Sequence, residues 1–155
     1  MTDLLDVIYY TVKHYPGALS HELSNARLTK MIYLADWHSC VTRGKQITDI
    51  KWYFDSHGPF VWRVKEAAAA RTDLLEVSEE QNMYGGKKLL FKIADRHYKP
   101  KLSDAEKKSI DHVIEVTRKL YWADFIKLVY ATHPVASSER YSTLDLVAAA
   151  KDYAA

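Results

Sequence analysis

The chain has 155 residues, nearly half of them hydrophobic and about a quarter charged, with a formal net charge of +2. That is enough chain for one domain with a real core, and too weak a positive charge to imply a nucleic-acid partner by itself. A single cysteine, Cys40, excludes an internal disulfide, and no apolar run is long enough to span a membrane, so the sequence reads as one cytoplasmic domain over residues 1–155.

Thr2 or Asp3 can cap a first helix whose inward stripe is Leu4 or Leu5, Ile8 and Val12, and Tyr15-Pro16-Gly17 ends it. A short polar segment with Ser20 and Ser24 follows. Then Leu28, Met31, Ile32 and Ala35 recur at helical spacing. Tyr33, Leu34 and Trp37 make the other side apolar as well, which predicts a helix enclosed by protein on most of its surface. Gly44 suits the left-handed cap that ends such a helix, and Arg43 suits the negative end of its dipole. From Ile50 the period changes to two: Ile50, Trp52 and Phe54 face one way, Lys51, Tyr53 and Asp55 the other. Gly58-Pro59 then fixes the exit into a helix carrying Val61, Val64, Lys65, Ala67 and Ala68, which Thr72-Asp73 breaks.

Two strand-like runs between Leu74 and Ile93 flank Gly85-Gly86, which predicts a hairpin with a two-residue turn and with Lys87 and Lys88 at its tip. Ser103-Asp104-Ala105-Glu106 is a capping box, and the helix it opens is expected to bury Ile110, Val113, Ile114, Thr117, Leu120 and Tyr121. Asp124 caps or starts the next helix, with Phe125, Leu128 and Val129, and His133-Pro134 stops it. Ser142 to Asp145 is expected to open a last short helix with Leu144, Val147 and Ala148 inward. The sum is an α+β fold, mostly helical, with about six helices and a small antiparallel sheet or hairpin.

Little here supports catalysis. Seven histidines include no metal-ligand spacing; His38 and His57 could meet beside Asp36 or Asp55 if the strand folds back, but hydrogen-bonded structural histidines explain them as well. Ser39-Cys40 and Ser137-Ser138 lack the glycines of a nucleophile elbow, and Cys40 reads as a small buried hydrophobe. Gly85-Gly86-Lys87-Lys88 sits between strands, not before a helix as a phosphate loop would. The expectation is therefore no enzyme, no catalytic residue, no metal and no cofactor.

Two binding readings remain. Helices plus a hairpin could form a winged-helix-like nucleic-acid-binding regulator, but Lys107, Lys108, Arg118 and Lys119 are diluted by Asp104, Glu106, Asp111 and Glu115, as on a solvated helix. The other reading is a protein binder. Tyrosine is in excess, eleven against four phenylalanines; tyrosine is enriched where proteins meet, and half-buried tyrosines closing the edge of the core account for the excess equally. Trp52, Tyr53, Phe54, Phe60 and Trp62 alternate between faces, so they cannot all enter one core, and around the Gly-Pro turn stand Trp52, Tyr53, His57, Phe60 and Trp62. They are the expected partner-binding set, with Tyr53 and Trp62 as outward anchors.

One ordered series of segments sharpens this: Lys30-Met31-Ile32-Tyr33-Leu34-Ala35-Asp36-Trp37-His38-Ser39, Gly44-Lys45-Gln46-Ile47-Thr48, Tyr53, and His57-Gly58-Pro59 followed by Phe60-Val61. The series resembles the Panacea domain, the SocA-like antitoxin domain. The likeness continues through the helix beginning at Ser103 and the segment Tyr121 to His133, ending Thr132-His133-Pro134; relatives often place a tryptophan after that turn, where this chain has Val135 and Ala136. The resemblance implies an antitoxin of a bacterial, prophage or phage toxin–antitoxin pair, concerned with phage defence, whose partner is a cognate protein toxin. One SocA-like relative delivers its toxin to the ClpXP protease, so a proteolytic-adaptor variant is implied too. The terminal Tyr153-Ala154-Ala155 is similar to the end of the bacterial tail that ClpX recognises, although a final helix that merely stops at small residues explains it more simply. A homo-oligomer stays open.

Overall fold

The computed structural model describes residues 2–81 and 85–154. It opens with helix α1 (Leu4–His14), capped by Asp3, whose side chain accepts the Leu5 N–H at 3.1 Å. The polar segment after it forms a 3-10 helix, Gly17–Glu22. Helix α2 (Asn25–Arg43) begins on Ser24, which accepts the Arg27 N–H, and stops at Gly44 in the left-handed conformation, φ 76°. Every residue from Arg27 to Asp36 is buried, so α2 is enclosed on all sides for nearly three turns. It touches α1, and, further along the chain, elements from both halves of the fold.

Strands β1 (Trp52–Asp55) and β2 (Gly58–Pro59) form a tight antiparallel pair, with Phe54 opposite Pro59. Helix α3 (Arg63–Ala69) buries Val64 and Ala68. Strands β3 (Leu75–Gln81) and β4 (Lys87–Ile93) pair from Leu75–Ile93 to Gln81–Lys87. Five residues separate the paired Gln81 and Lys87, where a two-residue turn would leave two; Gly85 takes a positive φ of 80°, and residues 82–84 lie outside the described ones.

Helix α4 (Asp104–Thr117) carries the capping box in full, Ser103 accepting the Glu106 N–H and Glu106 accepting the Ser103 N–H. It buries Ile110, Val113, Ile114 and Thr117, but Tyr121 is 78% exposed rather than inward. The helix ends at Thr117, so its periodicity does not carry through the turn to Tyr121. Helix α5 (Trp122–Ala131) starts two residues before Asp124, from Tyr121 as N-cap, and buries Phe125 and Val129. Thr132 is extended, breaking the chain before the short helix α6 (His133–Ala136).

The last expectation fails in part. Ser142–Leu144 is a strand, β5, pairing antiparallel with β1 so that Trp52 faces Leu144 and Phe54 faces Ser142. Helix α7 (Leu146–Ala154) begins only afterwards, with Asp145 accepting the Ala148 N–H at 3.0 Å. The shift in helical phase makes Leu146 and Ala150 the buried residues and leaves Ala148 exposed. Among the described residues there are thus seven α-helices, a three-stranded sheet β2-β1-β5 and a two-stranded sheet β3-β4: an α+β fold, mostly helical.

One polar residue locks this packing. Arg27 is buried, and its Nη2 donates to the carbonyls of Thr117 (2.8 Å) and Leu120 (3.0 Å), with the guanidinium 4.5 Å from the Phe125 ring centroid. The Thr117 carbonyl closes α4, where it also accepts the Leu120 N–H at 3.0 Å, and the Leu120 carbonyl lies just past the helix; a cation suits that end of the dipole.

Candidate functional site

The site is built outward from α2. Asp36 is wholly buried, and its carboxylate is filled with donors. Oδ1 accepts the backbone N–H groups of Ile47 (2.9 Å) and Thr48 (3.0 Å); Oδ2 accepts the Thr48 hydroxyl (2.5 Å) and Trp52 Nε1 (2.9 Å). Burial pushes this carboxyl up to about 6, against the lowering effect of the bonds from Thr48, Trp52 and Ile47. The loop after α2 and the start of β1 are thereby tied to the helix interior. Trp52, expected in the binding set, is corrected by this: it is fully buried, bonded to Asp36 and set edge-on to Tyr33 at 5.5 Å. An indole that satisfies its own N–H in the core has nothing left for a partner.

Its neighbours in sequence lie differently. One step beyond the Phe54–Pro59 pair, Phe60 N donates to Tyr53 O at 3.0 Å, so Tyr53 and Phe60 stand opposite each other across the ladder. Phe60 is half-buried and meets Trp62 edge-on at 5.0 Å. Tyr53 is 37% exposed, Trp62 61%, and His57 is exposed. Tyr53, His57, Phe60 and Trp62 are therefore accessible around a single turn.

Gly58 holds that turn. Its φ is +106°, and a Cβ there would lie 3.3 Å from Tyr130 Cε1 and 3.4 Å from Lys30 Cε. Only glycine combines that conformation with that approach. Beside the turn opens a cleft of about 600 Å³ lined by Lys30, His57, Trp122, Lys127, Tyr130 and Arg140. Tyr130 and Arg140 had no place in the sequence reading, and Lys30 entered it only as a letter of the Panacea-like series, not as a site residue. The available signal was a lysine inside a helix already expected to be enclosed.

The other chemical candidates disperse. His38 does not meet His57; it stacks on His112 at 4.4 Å and shares a 2.9 Å hydrogen bond with Ser109. Burial, with His112 adding to it, holds His38 below the usual imidazole range. Cys40 is buried among apolar side chains, which pushes its thiol up to about 12. Lys87 lies 3.6 Å from Glu79, and Lys88 donates to the His21 carbonyl at 2.8 Å, so both wing lysines have partners. Among the described residues no three His, Cys, Asp or Glu side chains converge, and no helix is long and apolar enough to cross a membrane.

The family of this architecture is settled by its sequence. The family model described as antitoxin SocA-like, Panacea domain, matches residues 28–134. The chain belongs to the Panacea family of SocA-like antitoxins. No curated protein and no solved structure gives a match. In this Panacea domain the matched segments meet around α2: Asp36 binds the Ile47-Thr48 loop, Tyr33 shares a 2.8 Å hydrogen bond with Thr132, and Lys30 packs under Gly58. Helix α1, strand β5 and helix α7 lie outside the matched region, although β5 completes the sheet that carries Tyr53. Membership in an antitoxin family fits a regulator of another protein rather than an enzyme.

Proposed function

We propose that this Panacea domain is the antitoxin of a toxin–antitoxin pair, and that it neutralises a cognate protein toxin by direct contact through Tyr53, His57, Phe60 and Trp62. The observation that carries the proposal is the aromatic group on the Gly-Pro turn, with Trp62 61% exposed and braced edge-on by Phe60. A large exposed indole on a rigid turn is the kind of residue that dominates interface energy once a partner covers it. The turn is held from beneath by Asp36 and Gly58, so little ordering has to accompany binding.

The test is co-expression with the toxic product of the adjoining reading frame. Tyr53→Ala and Trp62→Ala should each abolish rescue while the melting temperature moves by no more than about 2 °C. Rescue that survives both changes, or is lost only together with stability, removes the surface from consideration. Comparing toxin levels in hosts with and without ClpXP separates occlusion from delivery: direct occlusion leaves the toxin abundant but silent, whereas an adaptor depletes it only where the protease is present.

A further inference from the structure

Lys30 is 2% exposed as a residue, its ammonium has no hydrogen bond or ion pair among the described residues, and only the tip of the side chain reaches the solvent of the cleft. Its near neighbour is the Phe60 ring, with Nζ 5.7 Å from the centroid. The Asp55 carboxylate favours the charged form of Lys30 from beyond ion-pair distance. Buried charges are ordinarily paired, because an isolated ammonium away from water is costly. This one is not paired from within the fold. It lies along the cleft described above, where Lys127 and Arg140 add two exposed cations, His57 a titratable ring and Tyr130 a hydroxyl 3.5 Å from Arg140 Nη2. Among its described lining residues there is no carboxylate.

We propose that this cleft is an oxyanion site, in which a phosphate or carboxylate group is held between Lys30 Nζ and the guanidinium of Arg140. An arriving oxyanion supplies the counter-charge that Lys30 lacks, and Arg140 offers the forked donor that planar or tetrahedral oxyanions accept. Arg140 is already oriented for this, since its Nε donates to the Ser56 carbonyl at 3.1 Å and its guanidinium lies 5.8 Å from the Phe54 ring. Trp122 and Tyr130 give the cleft aromatic sides, which suit whatever apolar body carries the group. Burial holds the Lys30 ammonium down to about 8, so a bound anion should return it toward the ordinary lysine range. The site adjoins the proposed toxin surface through Phe60 and His57 but is independent of that reading.

A free phosphorylated small molecule and an acidic side chain of a bound protein carry the same chemistry, and two probes tell them apart. The full chain labelled with carbon-13 lysine is titrated with inorganic pyrophosphate and, separately, with N-acetyl-glutamate amide at constant ionic strength, following the Lys30 Cε resonance and the melting temperature. The expected result is a saturable change with at least one probe, a higher Lys30 pKa in the bound form, loss of the effect in Lys30→Met, and affinity weakened on the order of tenfold in Arg140→Gln. Preference for pyrophosphate points to a free phosphate ligand; preference for the glutamate probe points to an acidic side chain on a partner. Arg140→Gln keeps Lys30 in place, so the idea stays testable should Lys30→Met misfold. No saturable effect with either probe, or one that Lys30→Met leaves intact, overturns it.

Discussion

Trp52 Nε1 donates to Asp36 Oδ2 across 2.9 Å, joining the middle of α2 to the first residue of β1 inside the core. The same carboxylate takes two backbone N–H groups and a hydroxyl from Ile47 and Thr48. Asp36→Asn turns one of these acceptors into a donor facing donors, and should cost about 3 kcal/mol in urea unfolding. Trp52→Phe keeps the ring and loses one hydrogen bond, so it should cost about 1–2 kcal/mol. Equal losses for the two variants would mean that the carboxylate is not the hub.

Gly58→Ala forces a side chain into φ +106° and against Tyr130 and Lys30. The expected destabilisation is on the order of 2 kcal/mol, a fall in melting temperature of roughly 4–8 °C for a chain of this size. Gly17→Ala is the control, because nothing lies within 4 Å of the added methyl and its φ is unexceptional. That variant should melt within about 2 °C of wild type.

The buried ammonium of Lys30 predicts a pH signature. Burial lowers its folded pKa from 10.5 to about 8, so between those values the folded chain holds fewer protons than the unfolded one. Stability attributable to Lys30 therefore rises with pH across that window, by on the order of 3 kcal/mol. Cys40, raised to about 12 by burial, works in the opposite direction above the ordinary thiol range. The clean measurement is a difference. Lys30→Met should be the more stable protein at pH 7, and its advantage over wild type should shrink steadily toward pH 10. A constant difference across that range would show that Lys30 is hydrated in the folded state.

Arg27 predicts a different kind of failure. Arg27→Met should lose the bonds to Thr117 and Leu120 while keeping most of the packing on Phe125. We expect a loss of about 2–3 kcal/mol, with amide exchange fastest at the α4–α5 turn. Uniform acceleration over the whole chain would count against a local pin.

What could be read from the sequence was what is local. The start and stop of α2 are written in Ser24 and Gly44, and the start of α4 in Ser103 and Glu106, because those bonds span only a few residues. The alternation of Ile50, Trp52 and Phe54 was legible as a shared face, and all three are buried. What the alternation could not say is that Trp52 would find an acceptor sixteen residues back, which removes it from the surface. Strand β5 was hidden for the same reason: Ser142–Leu144 is too short to show a period, and its partner lies some ninety positions earlier. Tyr121 was misplaced because a helical count was run past the helix's end. The cleft was invisible because it gathers residues from α2, the β1–β2 turn, α5 and the loop before β5.

Strand β5 has a practical corollary for anyone moving this domain between hosts or fusions. Residues 28–134 hold the recognisable motif, yet the ribbon bearing Tyr53 has its other edge stitched by Ser142, Thr143 and Leu144. A graft cut at the motif's borders would carry the lettering of the family and leave behind the hem that keeps it flat.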